Sequence, residues 1–261
     1  MSRLKPKNDL PKGLLFARIW STLAWHDIRQ RYRRSVLGPF WFTLSTAIMV
    51  VVLGGLYSQI LHHEISQYLP FLAAGLVVWQ FISTSISEGC IVFITHGTLI
   101  KQIDLPLTVY ACRVGWRNFV ILLHSLPIVV FVLLIFGVWP NQEIFLLPFG
   151  LALLLLNAVW ITVALGILCV RYRDVAPIVS NFLQVSFFIT PVIWSPDILE
   201  GRSWIAACNP LYHLIEIVRA PILGQSIQAE SWFWSIGLAL VGFSVSQYLM
   251  LRYRDRVAYW L

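Results

Sequence analysis

Long uncharged stretches alternate with short basic turns along this chain. The first apolar run begins near Leu37 and continues to Leu61, and others occupy 68–94, 114–138, 145–169, 177–195 and 232–251. Runs of about 20 apolar residues match the thickness of a bilayer's hydrocarbon core. That core holds no water to pair free backbone groups, and the alternation of a barrel strand is absent, so the runs predict helices. The pattern describes an all-α polytopic membrane protein with six transmembrane helices. Its parts are an N-terminal segment (1–36), a six-span domain (37–251) and a C-terminal tail (252–261).

Two segments depart from that pattern. From Lys12 to Arg34 the spacing is helical but too charged to cross: Phe16, Ile19, Trp20 and Leu23 share one face, and Arg18, Thr22, His26, Arg29 and Arg33 the other. It predicts an amphipathic interface helix, one flank among acyl chains and one in water. Gly38-Pro39 then turns the chain into the first span. The segment from Ile205 to Leu223 is nearly long enough to cross, yet carries Asn209, Pro210, His213, Glu216, Arg219 and Pro221. It reads as a re-entrant hairpin on the outer side, where His213, Glu216 and Arg219 satisfy one another at i, i+3 spacing.

Composition agrees: 58% of residues are hydrophobic and 12% charged, and a water-soluble fold is excluded. The net charge of +7 does not point to nucleic acid, because the cations flank the apolar runs instead of forming a basic domain. With the N-terminus inside, only Arg202 and Arg219 fall on the outer side, whereas Glu64, Glu143, Asp197, Glu200 and Glu230 gather there. The positive-inside rule therefore predicts six crossings with both termini cytoplasmic. The first span reads as its own insertion signal, and the four cysteines, without metal-ligand spacing, as packing residues.

Catalytic chemistry finds little support. None of the four lysines follows a glycine, so no phosphate-cradling P-loop is present. His62-His63-Glu64 lacks the H-E-x-x-H pattern and reads as a solvated outer loop, no metal site is expected, and there is no G-x-S-x-G elbow. Glu88 is the one acid within a span; a structural hydrogen bond and a role in a translocation path both account for it. Tyr57, Trp79, Phe81, Phe187, Phe188 and Trp194 stand near span ends. They form either an interfacial belt or a path lined by flat rings along which sugars slide.

The string from Asp27 to Trp41, DIRQRYRRSVLGPFW, resembles the start of the first span in ABC-2 type permeases that export polysaccharides, above all the O-antigen lipopolysaccharide exporters. Val78-Trp79-Gln80-Phe81, the loop from Leu99 to Pro106, Arg173-Asp174, Thr190-Pro191-Val192-Ile193 and Asn209-Pro210-Leu211 continue the likeness in order. Two departures stand out: His96 where the family usually has asparagine, and Leu105 where an aromatic is commoner.

The resemblance implies a half-transporter of the bacterial inner membrane. Two copies would pair around a channel made by spans one, two and five, over two copies of a separate P-loop ATPase. ATP and Mg would belong to that partner, with no cofactor in this chain. The helix from Lys12 to Arg34 and the loop from His96 to Thr108 would touch the ATPase, with Lys101, Gln102 and Asp104 as polar contacts and Leu105 and Pro106 shaping the turn. The cargo implied is an undecaprenyl-diphosphate-linked glycan, for whose diphosphate Arg31, Arg33 and Arg34 are candidate guides beside their topological role. Capsule, teichoic acid or drug export remains open, as does a carrier or membrane-embedded enzyme that works without ATP.

Overall fold

A computed structural model of the chain describes residues 9–33, 40–198 and 204–261. Arg34 and the Gly38-Pro39 turn lie outside the described residues. The charged N-terminal segment forms two helices, α1 (Asp9–Leu15) and α2 (Ala17–Tyr32), separated at Phe16. The chain continues through α3 (Phe40–Ile60), α4 (Ile65–Thr95), the short α5 (Gly97–Gln102), α6 (Leu107–Phe136) and α7 (Leu147–Arg171). It ends with α8 (Val175–Ile189), the single turn α9 (Trp204–Ala207), α10 (Pro210–Ile222) and α11 (Ala229–Trp260).

Five of these, α3, α4, α6, α7 and α11, are long and apolar enough to cross a membrane. Their ends carry ordinary stop and start signals. Gly137 closes α6 in the left-handed conformation that costs glycine least. Pro148 opens α7, where its missing N–H would have been unpaired anyway. The side chain of Asn209 accepts from the Leu211 N–H and, with Pro210 behind it, starts α10.

The fifth apolar run, expected to be helical through 195, is helical only to Ile189. At 1.5 Å per residue its 15 residues reach about 22 Å, short of the roughly 30 Å hydrocarbon core. The cause is Pro191, which cannot continue a helix and drives Thr190 into extended backbone. The carbonyls freed there are taken by side chains: Pro191 O by Arg219 Nη1 at 2.7 Å, and Ile193 O by the Tyr68 hydroxyl at 2.6 Å.

Expected boundaries shift elsewhere too. α6 begins at Leu107 instead of 114, so Arg113 joins Arg117 within the helix. α11 is continuous through the expected tail to Trp260. α10 presents no polar face to water: it is buried nearly all round, between α4, α7 and α11. Arg219 does pair with Glu216, and its guanidinium lies 3.9 Å from the centre of the Phe71 ring. His213 turns away from both, to Ser231 Oγ at 3.0 Å and the Ala207 carbonyl at 2.7 Å. A helix inserted among three neighbours satisfies its polar groups from them as readily as from itself.

Helix α4 runs through the centre, against α3, α6, α7, α8 and α10. Most of its middle, from Leu72 to Ile82, belongs to a large apolar core with Leu154, Ile215 and Ile217. A second core, of Phe93, Leu107, Tyr110, Ile167, Met250 and Val257, closes the end of the bundle at which α1, α2 and α5 lie. That end gathers Arg31, Lys101, Arg113, Arg117, Arg171 and Arg254, and is called the basic end below.

At Gly150 α7 lies so near α10 that an added Cβ would fall far inside contact distance of the Ile217 carbonyl oxygen. Backbone cannot swing aside as a side-chain tip can. Gly150→Leu should therefore cost about 1–3 kcal/mol or more through overpacking, whereas Gly237→Ala on α11, with open space around it, should be neutral or better. Thermal unfolding of the two variants in detergent checks this; equal midpoints would contradict it.

Candidate functional site

Between α2, α4 and α6, at the basic end, five charged side chains form one chain of contacts. Asp27 of α2 receives Arg113 Nε at 2.7 Å, a second bond from the same guanidinium, and Arg117 Nη1 at 3.1 Å. Arg117 also bonds Glu88 of α4, which receives Arg31 Nη2 at 3.0 Å. Bidentate guanidinium–carboxylate pairs are the strong form of this bond. The five surround a cavity of about 500 Å³ that His96 and Thr95 also line. Three guanidiniums face two carboxylates, leaving one positive charge, and Arg117 Nε has no partner among the described residues.

The network explains the seat of α2. Trp20, Ala24, Asp27 and Ile28 recur at helical spacing, and Trp20 meets the Trp116 ring edge-on at 5.5 Å. The face turned to the bundle is therefore centred on Ala24 and Asp27, while Phe16 and Ile19, expected on the apolar face, are exposed. Burial by itself would raise the Asp27 carboxyl, but the Arg113 hydrogen bond and the charges of Arg113 and Arg117 outweigh it and hold the group below its ordinary 3.8. At His96, burial and then the Arg113 charge push the imidazole down to about 4. It is neutral at physiological pH, a polar group without charge.

A second cluster holds the loop before α6. Asp9, fully buried in α1, accepts the N–H groups of Leu107 and Thr108 at 3.1 Å each and the Thr108 hydroxyl at 3.0 Å. It thus caps α6 from another helix, placing negative charge at the positive end of the helix dipole. Arg254 of α11 then bonds Asp9 through Nε at 2.7 Å and Asp104 through Nη2 at 3.1 Å. Lys101 and Gln102 are exposed on α5, Leu105 packs against the second core, and Pro106 stands at the α6 N-cap.

The third feature is a groove of about 550 Å³ between α3, α4 and α8. Trp79, Phe187 and Phe188 line it beside Gln80, Ser83, Ser180 and Gln184. The Trp79 and Phe187 rings are 5.5 Å apart, and Thr46 donates to Gln80 at 2.9 Å. Phe81, two residues beyond Trp79, points the other way and is buried against Phe119. Tyr57 packs on the main core, and Trp194 ties back to the Phe188 carbonyl at 2.8 Å.

The residues singled out in the sequence are thus dispersed. The groove unites Trp79, Phe187 and Phe188; Arg31 is engaged with Glu88, and Arg33 is exposed at the end of α2. For Glu88 the structure supplies the hydrogen bonds of the structural reading. Asp27, Arg113, Arg117, Asp9 and Arg254 carry most of the ion pairing, and the sequence alone singles out none of them for it. Asp27, an acid on the face shared with Ala24 and Ile28 of a basic helix, was the readable signal.

His96 and Asp27 titrate in separate windows. Unfolded histidine takes its proton near pH 6.5 and the folded residue only near 4, so stability should fall as pH drops across that interval and level off below it. Asp27 adds its loss only below its ordinary 3.8. His96→Asn should remove the loss between pH 6.5 and 4 and keep the one below 3.8; acid unfolding curves that overlay the parent's across the upper window would refute it.

The chain matches the model of the ABC-2 type transporter family over residues 18–223. It is 28% identical over 212 residues to a Myxococcus xanthus protein named O-antigen export system permease protein RfbA, covering 80% of each chain. Two Klebsiella pneumoniae proteins of the same name are 25% and 23% identical over 238 residues, covering 88% of this chain and 91% of theirs. With five membrane-length helices, a basic end built from ion pairs and a match across most of its length, the chain belongs to the ABC-2 transporter family, as a transporter subunit.

Proposed function

We propose that this chain is the membrane-spanning half of an exporter for a lipid-linked polysaccharide of the O-antigen type. Two copies pair around the translocation path, and two copies of a separate P-loop ATPase supply the energy from ATP and Mg. The groove between α3, α4 and α8 carries the reading. Flat rings next to serine and glutamine side chains suit a sugar chain, which offers apolar ring faces and rims of hydroxyls, and weak contacts of both kinds let it slide. The names of the three relatives point to the same cargo.

The faces of α3 and α8 that flank the groove are apolar and exposed, with Ile48, Val52, Ile178, Phe182 and Val185 outermost. They are available to lipid and to a second copy, which would close the groove into a channel. In this arrangement the basic end faces the cytoplasm, following the positive-inside rule, and the membrane is the bacterial inner membrane. α8 with the segment to Trp194 makes the sixth crossing, α9 and α10 form the outer re-entrant hairpin, and both chain ends are cytoplasmic. Arg31 and Arg33 stand where a lipid diphosphate would arrive. α5 and the loop through Lys101, Gln102, Asp104, Leu105 and Pro106 meet the ATPase, and a rigid shift there is passed to the helices on either side.

Replacing Trp79 and Phe187 together by alanine should lower surface polysaccharide about tenfold, each ring contributing roughly 0.5–1.5 kcal/mol, while the ATPase still co-purifies. Unchanged polysaccharide on whole-cell gels would remove the groove from the path. Transport by the purified chain without an ATPase would end the half-transporter reading.

A further inference from the structure

The loop expected to receive the ATPase is bonded to more than its two flanking helices. Asp104, within it, is held by Arg254 from the last turns of α11. The same guanidinium reaches Asp9, whose carboxylate caps α6 immediately after the loop. At the loop's other end Gly97 is buried beneath Leu261: a Cβ added at Gly97 would stand 3.7 Å from the Leu261 Cβ. Gly13 of α1 lies so close to Thr108 that no side chain fits between them. Val257, fully buried, joins the core that holds Leu107 and Tyr110. On the far flank the Arg171 guanidinium sits 5.0 Å from the Trp260 ring and 5.6 Å from that of Tyr253, so the turn after α7 is fastened to the same helix end.

Resting on the half-transporter reading, we propose that the last turns of α11 and helix α1 belong to the ATPase-docking element, so that α1, α5, the loop to Pro106 and residues 254–261 move as one body. Arg254 is its positioning residue: one guanidinium satisfies two carboxylates on separate segments. Nucleotide-driven motion then reaches α11 directly, as well as α4 and α6. The docking surface is correspondingly composite. Lys101 and Gln102 share a cavity of about 320 Å³ with Arg254, Asp255 and Ala258, and a side chain of the ATPase inserted there would touch both parts at once.

The near contact of Gly97 and Leu261 supplies the test, because 3.7 Å lies within the Cβ–Cβ range of a disulfide. Membranes carrying Gly97→Cys with Leu261→Cys, in a Cys208→Ser background, are oxidised with the ATPase bound, once without nucleotide and once trapped with ATP and vanadate. Cross-linking should agree between the two states within about twofold, since parts of one rigid body keep their spacing. A loss of fivefold or more in either state would mean that the parts separate, and would overturn the proposal.

Arg254→Gln should lower the cross-link yield at least about fivefold and Arg254→Lys should restore most of it, a difference that general destabilisation would not produce. Equal yields in Arg254→Gln and its parent would remove Arg254 from this role. Should no ATPase co-purify with the parent chain, the half-transporter reading fails on its own account, while the nucleotide-free yields and their dependence on Arg254 still decide whether the segments are joined.

Discussion

A charged side chain at the margin of a hydrocarbon layer needs a partner close by, because water is scarce and an unpaired buried charge is costly. In this chain the requirement organises the basic end. Asp27, Glu88, Arg31, Arg113 and Arg117 pair with one another across α2, α4 and α6, and Asp9, Asp104 and Arg254 do so across α1, the loop and α11. Neither set could be solvated by its own helix. Each surface segment is consequently fixed to the bundle by bonds whose loss would strand a charge.

The same rule acts at the other end on a smaller scale. Pro191 breaks α8 and frees backbone carbonyls, and the structure answers with Arg219, itself paired with Glu216 and laid over Phe71, and with the Tyr68 hydroxyl. A buried arginine in an interior helix is therefore part of the solution to a proline. The segment that looked like a polar-faced arm becomes a helix held in the protein interior, and its burial follows from the backbone it has to satisfy.

Between the two ends, function depends on what the cores leave uncovered. α4 gives one face to the main core and turns Trp79, Gln80 and Ser83 to the groove. α8 buries little beyond Leu183 and Ser186 and keeps the rest of its surface outward. On the proposed half-transporter reading, this open side is the one that a second copy would close. The ion pairs at the basic end provide the complementary property: rigid connection between the surface segments and the helices they would move.

Periodicity and hydropathy were enough to establish the helical class, the charge asymmetry, the absence of a P-loop and five of the six expected membrane-length helices, because hydrocarbon acts on each segment separately and leaves its mark on local composition. The ordered motifs also carried the family. Proline at 191 was visible, but that it ends α8 was overridden by the apolar residues around it. Ion-pair partners were beyond reach: Asp9 and Arg254 lie 245 positions apart, and Asp27 and Arg113 lie 86 apart. An arginine that marks topology and one that clamps two helices have identical sequence signatures. Only the packing of α2 on α6, and of α11 beside the loop, decided which carboxylate each would meet, since a salt bridge is set by distance in space and not by position along the chain.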